Sequence, residues 1–295
     1  MSSIPPVTVV IPCFNHGRFI AECILSLEGQ THTAWRAIVV DDKSTDGETP
    51  ALCDAVASER VTILHLPENK GRAGARHIGI TMAETEAVMS LDADDKLAPA
   101  HFERTVPLLL SDPRCGMVYT DYARFGARTG LMRAGVFDPV RLYLMQYIYA
   151  GSLFRKSAYG KTAGYRSELN IGNEDWDLWL SIMEAGFTGT YVPEPLYAYR
   201  YHPGSWSSQS AIVRASVIRK SRDLLRDFHR EGYERTGTLG RFERDTELDC
   251  AKLLLEAGEL AEARSCLREA RRLTPLSPKV WSLSFRSFFA SPARP

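Results

Sequence analysis

No apolar run in this chain approaches the roughly 18–20 consecutive residues that a membrane-spanning helix needs, and the first residues lack the charged n-region and apolar h-region of a secretory signal. A soluble protein, at most in peripheral contact with a membrane, is therefore expected. Cysteine is scarce and scattered. Cys13, Cys23, Cys53, Cys115, Cys250 and Cys266 include no Cys-x-x-Cys pair, which argues against a zinc knuckle or redox motif and fits a reducing cytoplasm. Nor is there a surplus of either charge. Lys+Arg and Asp+Glu stand at 36 each, so net charge gives no reason to expect a nucleic-acid partner, although residues 212–295 are mildly basic. What is present suits a globular chain, since 295 residues with 44% hydrophobic content can bury a sizeable core.

Val7-Thr8-Val9-Val10-Ile11-Pro12 is a short, β-branched apolar run closed by proline, as expected of a strand buried on both faces. Ile20, Ile24 and Leu27, with Phe19 and Cys23, then recur at helical spacing. The alternation continues with a strand from Trp35 to Val40, a helix around Pro50–Ser58, a strand Val61–Leu66, a helix Gly74–Ala83 and a strand Ala87–Leu91. Such repetition predicts an α/β fold with a mainly parallel sheet flanked by helices. In these sheets ligands gather at the carboxyl ends of strands. There the sequence places Asn15-His16, Asp41-Asp42, Glu68-Asn69-Lys70-Gly71 and Asp92-Ala93-Asp94-Asp95, so four loops are expected to form one acidic rim. Beyond them we expect a helix to about Leu110, strands Cys115–Asp121 and Ser152–Arg155, and a helix starting near Glu174. Residues 124–150 read as a variable loop and helix region, and Pro193–Pro203 as a proline-punctuated segment.

The acidic cluster makes the strongest demand. Three carboxylates at the end of a buried strand repel one another, and the arrangement calls for a cation or hydrogen-bond donors. Oxygen ligation suits Mg²⁺ or Mn²⁺ rather than zinc. A solvated loop shows the same short motif by chance. A haloacid-dehalogenase phosphatase also carries Asp-x-Asp after an apolar strand, but at its first strand and with Thr or Val where this chain has Lys96.

An ordered set of motifs gives the cluster its context: Val10-Ile11-Pro12-Cys13-Phe14-Asn15, Gln30-Thr31, Val40-Asp41-Asp42-Lys43-Ser44-Thr45-Asp46-Gly47, Asn69-Lys70-Gly71 with Ala75-Arg76, Asp92–Asp95, and Asn173-Glu174-Asp175-Trp176. Together they resemble the family 2 glycosyltransferases with a GT-A fold, over roughly residues 6–208. The resemblance implies an inverting, metal-dependent transfer of a single sugar from a nucleotide-diphosphate sugar, a UDP-sugar being favoured, to a hydroxyl of a glycan or glycoconjugate. It implies that Asp42 accepts a hydrogen bond from the nucleobase, that Pro12 and Asn15 shape the first loop, and that Lys70 and Arg76 lie at the nucleotide or diphosphate. Asp94 is the expected main ligand of Mn²⁺ or Mg²⁺. Asp92, next to Ala93, contributes directly or through ribose and water, Asp95 assists, and His202, within Tyr199–Ser205, closes over the metal or diphosphate. Asp175 is implied as general base and Glu174 as the residue orienting the acceptor or the loop. Competing structural roles exist for several of these: helix capping for Glu174 and Asp175, an Asx turn for Asp41 or Asp42, and core packing for Trp176 and Trp179.

The domain plan expected is a catalytic domain over 1–210, with a nucleotide-sugar half (1–121) and an acceptor half (122–210), followed by a helical extension over 211–295. Leu248 to Pro275 resembles one tetratricopeptide helical hairpin, with Ala251, Leu254, Ala263, Leu267 and Ala270 at its small and apolar positions. A single copy cannot stack on itself and is expected to pack on the catalytic body. The Gln-x-x-Arg-Trp signature of processive synthases is absent. From a different class, a non-catalytic nucleotide-sugar-binding or scaffold protein of the same fold is the alternative.

Overall fold

In a computed structural model describing residues 5–203 and 209–289, the first half of the chain alternates as its apolar runs predict. The elements are β1 (Val7–Cys13), α1 (Gly17–Glu28), β2 (Trp35–Asp41), α2 (Thr49–Asp54), β3 (Val61–His65), α3 (Gly71–Met82) and β4 (Ala87–Ser90). β1 pairs in parallel with β2, from Val7 opposite Trp35 to Cys13 opposite Asp41, and on its other side with β4. β2 pairs in parallel with β3, ending at Asp41 opposite His65. This shared register brings the carboxyl ends of β1, β2 and β3 to one edge of the sheet, so the loops bearing Asn15, Asp42 and Lys70 leave it together. α1 turns Ile20, Cys23, Ile24 and Leu27 inward, each large aliphatic side chain contributing about 1.5–3 kcal/mol on burial.

The chain continues through β5 (Lys96–Leu97), α4 (His101–Ser111), β6 (Cys115–Gly126), β7 (Gly130–Met132), α5 (Pro139–Leu144), β8 (Leu153–Arg155), α6 (Lys156–Tyr159), a 3₁₀ turn Ser167–Ile171, α7 (Glu174–Glu184) and β9 (Thr188–Tyr201). Among the described residues the strands form one sheet in the order β3-β2-β1-β4-β8-β6-β9-β5, with β7 added on β6. The parallel half ends at β4. Beyond it β8 runs antiparallel to both β4 and β6, and β5 antiparallel to β9, while β6 and β9 pair in parallel.

Two departures from the expected elements have one cause. β6 extends past Asp121 to Gly126, and the proline-punctuated segment from Pro193 as far as Tyr201 lies within the 14-residue β9. The ladder passes from Thr120 opposite Val192 to Asp121 opposite Pro195. Pro193 and Glu194 therefore fall in a bulge, which accommodates a residue unable to donate to the ladder. The last two residues of the expected motif Tyr199–Ser205 lie outside the described residues.

The described chain divides into two compact units. The first comprises Met1–Asp138, Tyr147–Asn170 and Glu174–His202, and the second Pro139–Gln146, Ile171–Asn173 and Pro203–Pro295. The core of the first joins β1 and β2 residues such as Val9, Ile11 and Val39 to Phe102 and Val106 of α4. The second holds α5, α8 (Ala211–Phe228), α9 (Arg230–Thr236), α10 (Leu239–Glu256), α11 (Leu260–Leu273) and α12 (Pro278–Phe289). α10 and α11 form a hairpin whose turn includes Gly258 at φ 77°. Ala251, Leu254, Ala263, Cys266, Leu267 and Ala270 pack together in its core, where small side chains let helices approach closely. All six cysteines are buried free thiols. Among the described residues no helix is long and apolar enough to cross a membrane.

Candidate active site

The loop after β4 carries Asp92, Asp94 and Asp95, and β5 follows at once. Because β5 pairs with β9, with Lys96 opposite Ala198 and Leu97 opposite Tyr197, the end of β9 is delivered to the acidic loop. Asp95 is 1% exposed. Its Oδ1 accepts the Arg200 backbone N–H at 2.7 Å and its Oδ2 the Tyr197 hydroxyl. Burial, then the charges of Asp94 and Asp92, push its carboxyl well above the usual range. Asp94 keeps a more open position, and its Oδ2 faces His202 Nε2 at 2.9 Å. The Arg200 guanidinium donates to the Asp94 carbonyl at 2.7 Å and pairs with Glu22.

Carboxylate oxygens of Asp92, Asp94 and Asp95 lie within 4.8 Å of one another, as do ligand atoms of His16, Asp94 and His202. The donor set is chemically suited to a hard or borderline divalent cation, since carboxylates and imidazole converge on a partly open corner. Burial lowers the tendency of His16 to take a proton, and His202 opposes protonation further while Asp94 favours it.

Arg76 ties this corner to a second pair of carboxylates. Its guanidinium is 1% exposed, with one terminal nitrogen 2.6 Å from Asp92 Oδ1 and the other bonded to Glu174. Arg72 Nε reaches the same Glu174 carboxylate at 3.2 Å. Burial alone would raise the Asp92 carboxyl, but Arg76 and Arg72 outweigh it and hold the group below its ordinary value. Next to Glu174, at the opening turn of α7, Asp175 is 8% exposed. Its carboxyl is pushed up to about 7 by burial and then by the Glu174 charge, against the pull of Arg76 and Arg72. At neutral pH such a group both holds and releases a proton, which suits acid–base work.

The rim after β2 and β3 is tied together by hydrogen bonds. Asp41 accepts the Ser44 N–H at 3.0 Å and meets His65 Nδ1 at 2.8 Å, the turn role expected of it. Asp42, 3% exposed, takes the Lys70 N–H on Oδ1 at 2.6 Å. Burial raises its carboxyl, opposed by the backbone N–H groups of Lys70 and Gly71. Asn15, at φ 56°, accepts the N–H groups of Thr45 and Asp46 on its side-chain oxygen. Pro12 is partly exposed at the end of β1, and Ala93 is buried between the acidic residues. The Lys70 ammonium pairs with Glu68 on the surface.

Several contributors escaped the sequence reading. His16, Arg72, Tyr197 and Arg200 reach the site through pairing between distant segments, which a local pattern does not reveal. Asn170 bonds the Ala73 N–H at 2.9 Å and the Lys70 carbonyl at 2.9 Å, pinning the start of α3. The only local signal lay with His16, beside Asn15 at a strand end.

Comparisons with known proteins identify the family and the fold. Residues 8–170 match the family model described as Glycosyl transferase family 2. EpsE and TuaG of Bacillus subtilis (strain 168), both named as glycosyltransferases, are each 28% identical to this chain. The first match covers 77% of this chain and 87% of EpsE, the second 69% of this chain and 82% of TuaG. Among solved structures, the mannosyltransferase PcManGT of Pyrobaculum calidifontis in complex with GDP-Man and Mn²⁺ superimposes with a TM-score of 0.62 at 19% identity, over 98% of this chain and 81% of that one. TarS 1-349 of S. aureus in complex with UDP-GlcNAc gives 0.61 at 14% identity, over 98% and 93%. The structural likeness establishes the expected GT-A α/β architecture.

Proposed function

This chain belongs to glycosyl transferase family 2, and on that premise we propose that it moves one sugar, with inversion, from a nucleotide-diphosphate sugar to a hydroxyl of a glycan or glycoconjugate. A UDP-sugar is the favoured donor, with Mn²⁺ or Mg²⁺ as the cation. The observation that carries the reading is the buried Arg76 bridge, which sets Asp92 and the Glu174–Asp175 pair around one guanidinium. A buried carboxyl raised to about 7 beside this bridge favours a base over a scaffold role.

In this reading Asp42 presents its remaining acceptor capacity to the nucleobase, with Lys70 and the first turn of α3 facing the diphosphate. Asn15 and Pro12 hold the first loop in shape. Asp94 and His202 would hold the cation, with Asp92, engaged by Arg76, acting through ribose and water; when bound, the cation stabilises the charge developing on the leaving nucleoside diphosphate. Asp95, engaged by Tyr197 and Arg200, orients that loop. Asp175 takes the proton of the acceptor hydroxyl as it attacks the anomeric carbon from the face opposite the leaving group. Arg76 is a positioning residue: it pairs with both Asp92 and Glu174 and so fixes the carboxylate that stands beside Asp175.

Purified protein is expected to hydrolyse UDP-sugars slowly in the presence of Mn²⁺ or Mg²⁺ and to lose this activity in Asp94→Ala and Asp175→Asn by about 10²-fold or more. Equal hydrolysis by all three proteins would sink the mechanism.

A further inference from the structure

His16 breaks a rule of helix capping. It stands at the N-cap of α1, where Ser, Thr, Asp or Asn would accept a backbone N–H, and its side chain makes no capping bond. A local rule broken without local gain is characteristic of functional sites. The ring instead lies edge-on to His202 at 5.5 Å and to Phe19 at 5.8 Å. A ring nitrogen of His16, a ring nitrogen of His202 and a carboxylate oxygen of Asp94 all lie within 4.8 Å of one another. Two of them, His202 Nε2 and Asp94 Oδ2, are 2.9 Å apart, close to the roughly 3 Å between adjacent ligands of an octahedral ion with bonds of about 2.1 Å. Phe19 supports the corner from beneath, its ring 4.8 Å from that of His202.

Resting on the reading that this corner holds the enzyme's divalent cation, we propose that His16 is a third protein ligand. His16, His202 and Asp94 then form a face of two imidazoles and one carboxylate that selects Mn²⁺, or a neighbouring first-row transition ion, over Mg²⁺. Imidazole binds first-row transition ions, Mn²⁺ the least avid of them, in preference to Mg²⁺, which takes oxygen ligands and keeps its water. Three protein donors also retain the ion before any nucleotide arrives. A site of one or two carboxylates depends on substrate phosphates for that.

The test is Mn²⁺ binding without nucleotide, read from the loss of the free-ion electron paramagnetic resonance signal, with Mg²⁺ measured by competition. Wild type is expected to bind Mn²⁺ roughly tenfold or more tightly than Mg²⁺. His16→Asn supplies a favoured N-cap, so its Tm should equal or exceed that of wild type. The variant should nonetheless bind Mn²⁺ roughly tenfold or more weakly while Mg²⁺ changes by less than about twofold. Undiminished Mn²⁺ binding by His16→Asn overturns the third-ligand assignment and leaves the transferase reading standing. Wild-type protein that binds neither ion, with or without UDP, overturns both, as does undiminished binding by a folded Asp94→Asn.

Discussion

Asp175 costs the fold stability at the pH where it is useful. Its carboxyl is pushed up to about 7, against about 3.9 in an unfolded chain. The folded state therefore holds this proton more tightly than the unfolded state does. The associated stability is fully present below about pH 4 and is lost as pH rises through 7. Asp175→Asn removes the penalty along with the proposed base. The variant is expected to lose transfer by about 10²–10⁴-fold yet gain on wild type in urea unfolding, with a gain larger at pH 8 than at pH 5 by about 2–3 kcal/mol. The same difference at both pH values would contradict the burial argument. Wild-type turnover should fall as pH drops below about 7, where the base is protonated. The Glu-Asp pair itself was legible in the sequence. Its partner Arg76 was legible as a basic residue on the right helix, but not as the group bridging two carboxylates, because that depends on Asp92 and Glu174 meeting although they lie far apart in the sequence.

At the scale of elements, α3 starts where the chain has little freedom. Gly71 sits at φ 73°, and a Cβ there would come within 2.3–2.5 Å of the Asn170 amide. Gly71→Ala is expected to destabilise by about 1–3 kcal/mol. It should also raise the donor KM more than it lowers kcat, since the first turn of α3 and the Lys70 N–H on Asp42 shift together. A donor KM unchanged in the folded variant would detach this turn from nucleotide binding. Strands β1, β2 and β4 were readable because each is a short, mostly apolar run buried in a parallel sheet, where side chains on both faces are hydrophobic. β9 was not, because Pro193 is accommodated in a bulge opposite β6, and a bulge is a property of two segments. The juxtaposition of His202 with Asp94 was implied by the family resemblance alone, since no local pattern shows it and it depends on the two-residue pairing of β5 with β9.

At the scale of the whole molecule, two separate cores confine damage. In the second unit Glu247 of α10 is 1% exposed and lies between Arg219 and Arg222 of α8, with Arg219 Nε 3.0 Å from Oε2 and an Arg222 nitrogen 2.6 Å from Oε1. Removing a buried partner leaves charges facing one another. Glu247→Ala is therefore expected to weaken α8 and α10 by about 2–3 kcal/mol, a figure reduced for the partial exposure of both arginines. Hydrogen exchange should quicken in those helices while β1 and β2 keep their protection; quickening throughout would mean that the cores melt as one. The hairpin in this unit was readable from its small-residue spacing, whereas the inclusion of Pro139–Gln146 was not, since nothing in that segment's sequence names its neighbours. The pairing of β5 with β9 has a consequence for biosynthesis. Asp95 and the Arg200 N–H that satisfies it are 105 positions apart, so the acidic loop emerges from the ribosome long before its partners. Contacts of that span carry a loop-closure cost and form late. The acidic loop thus gains its partners only once β9 has docked, and a nascent chain truncated before β9 would carry the acidic residues without them.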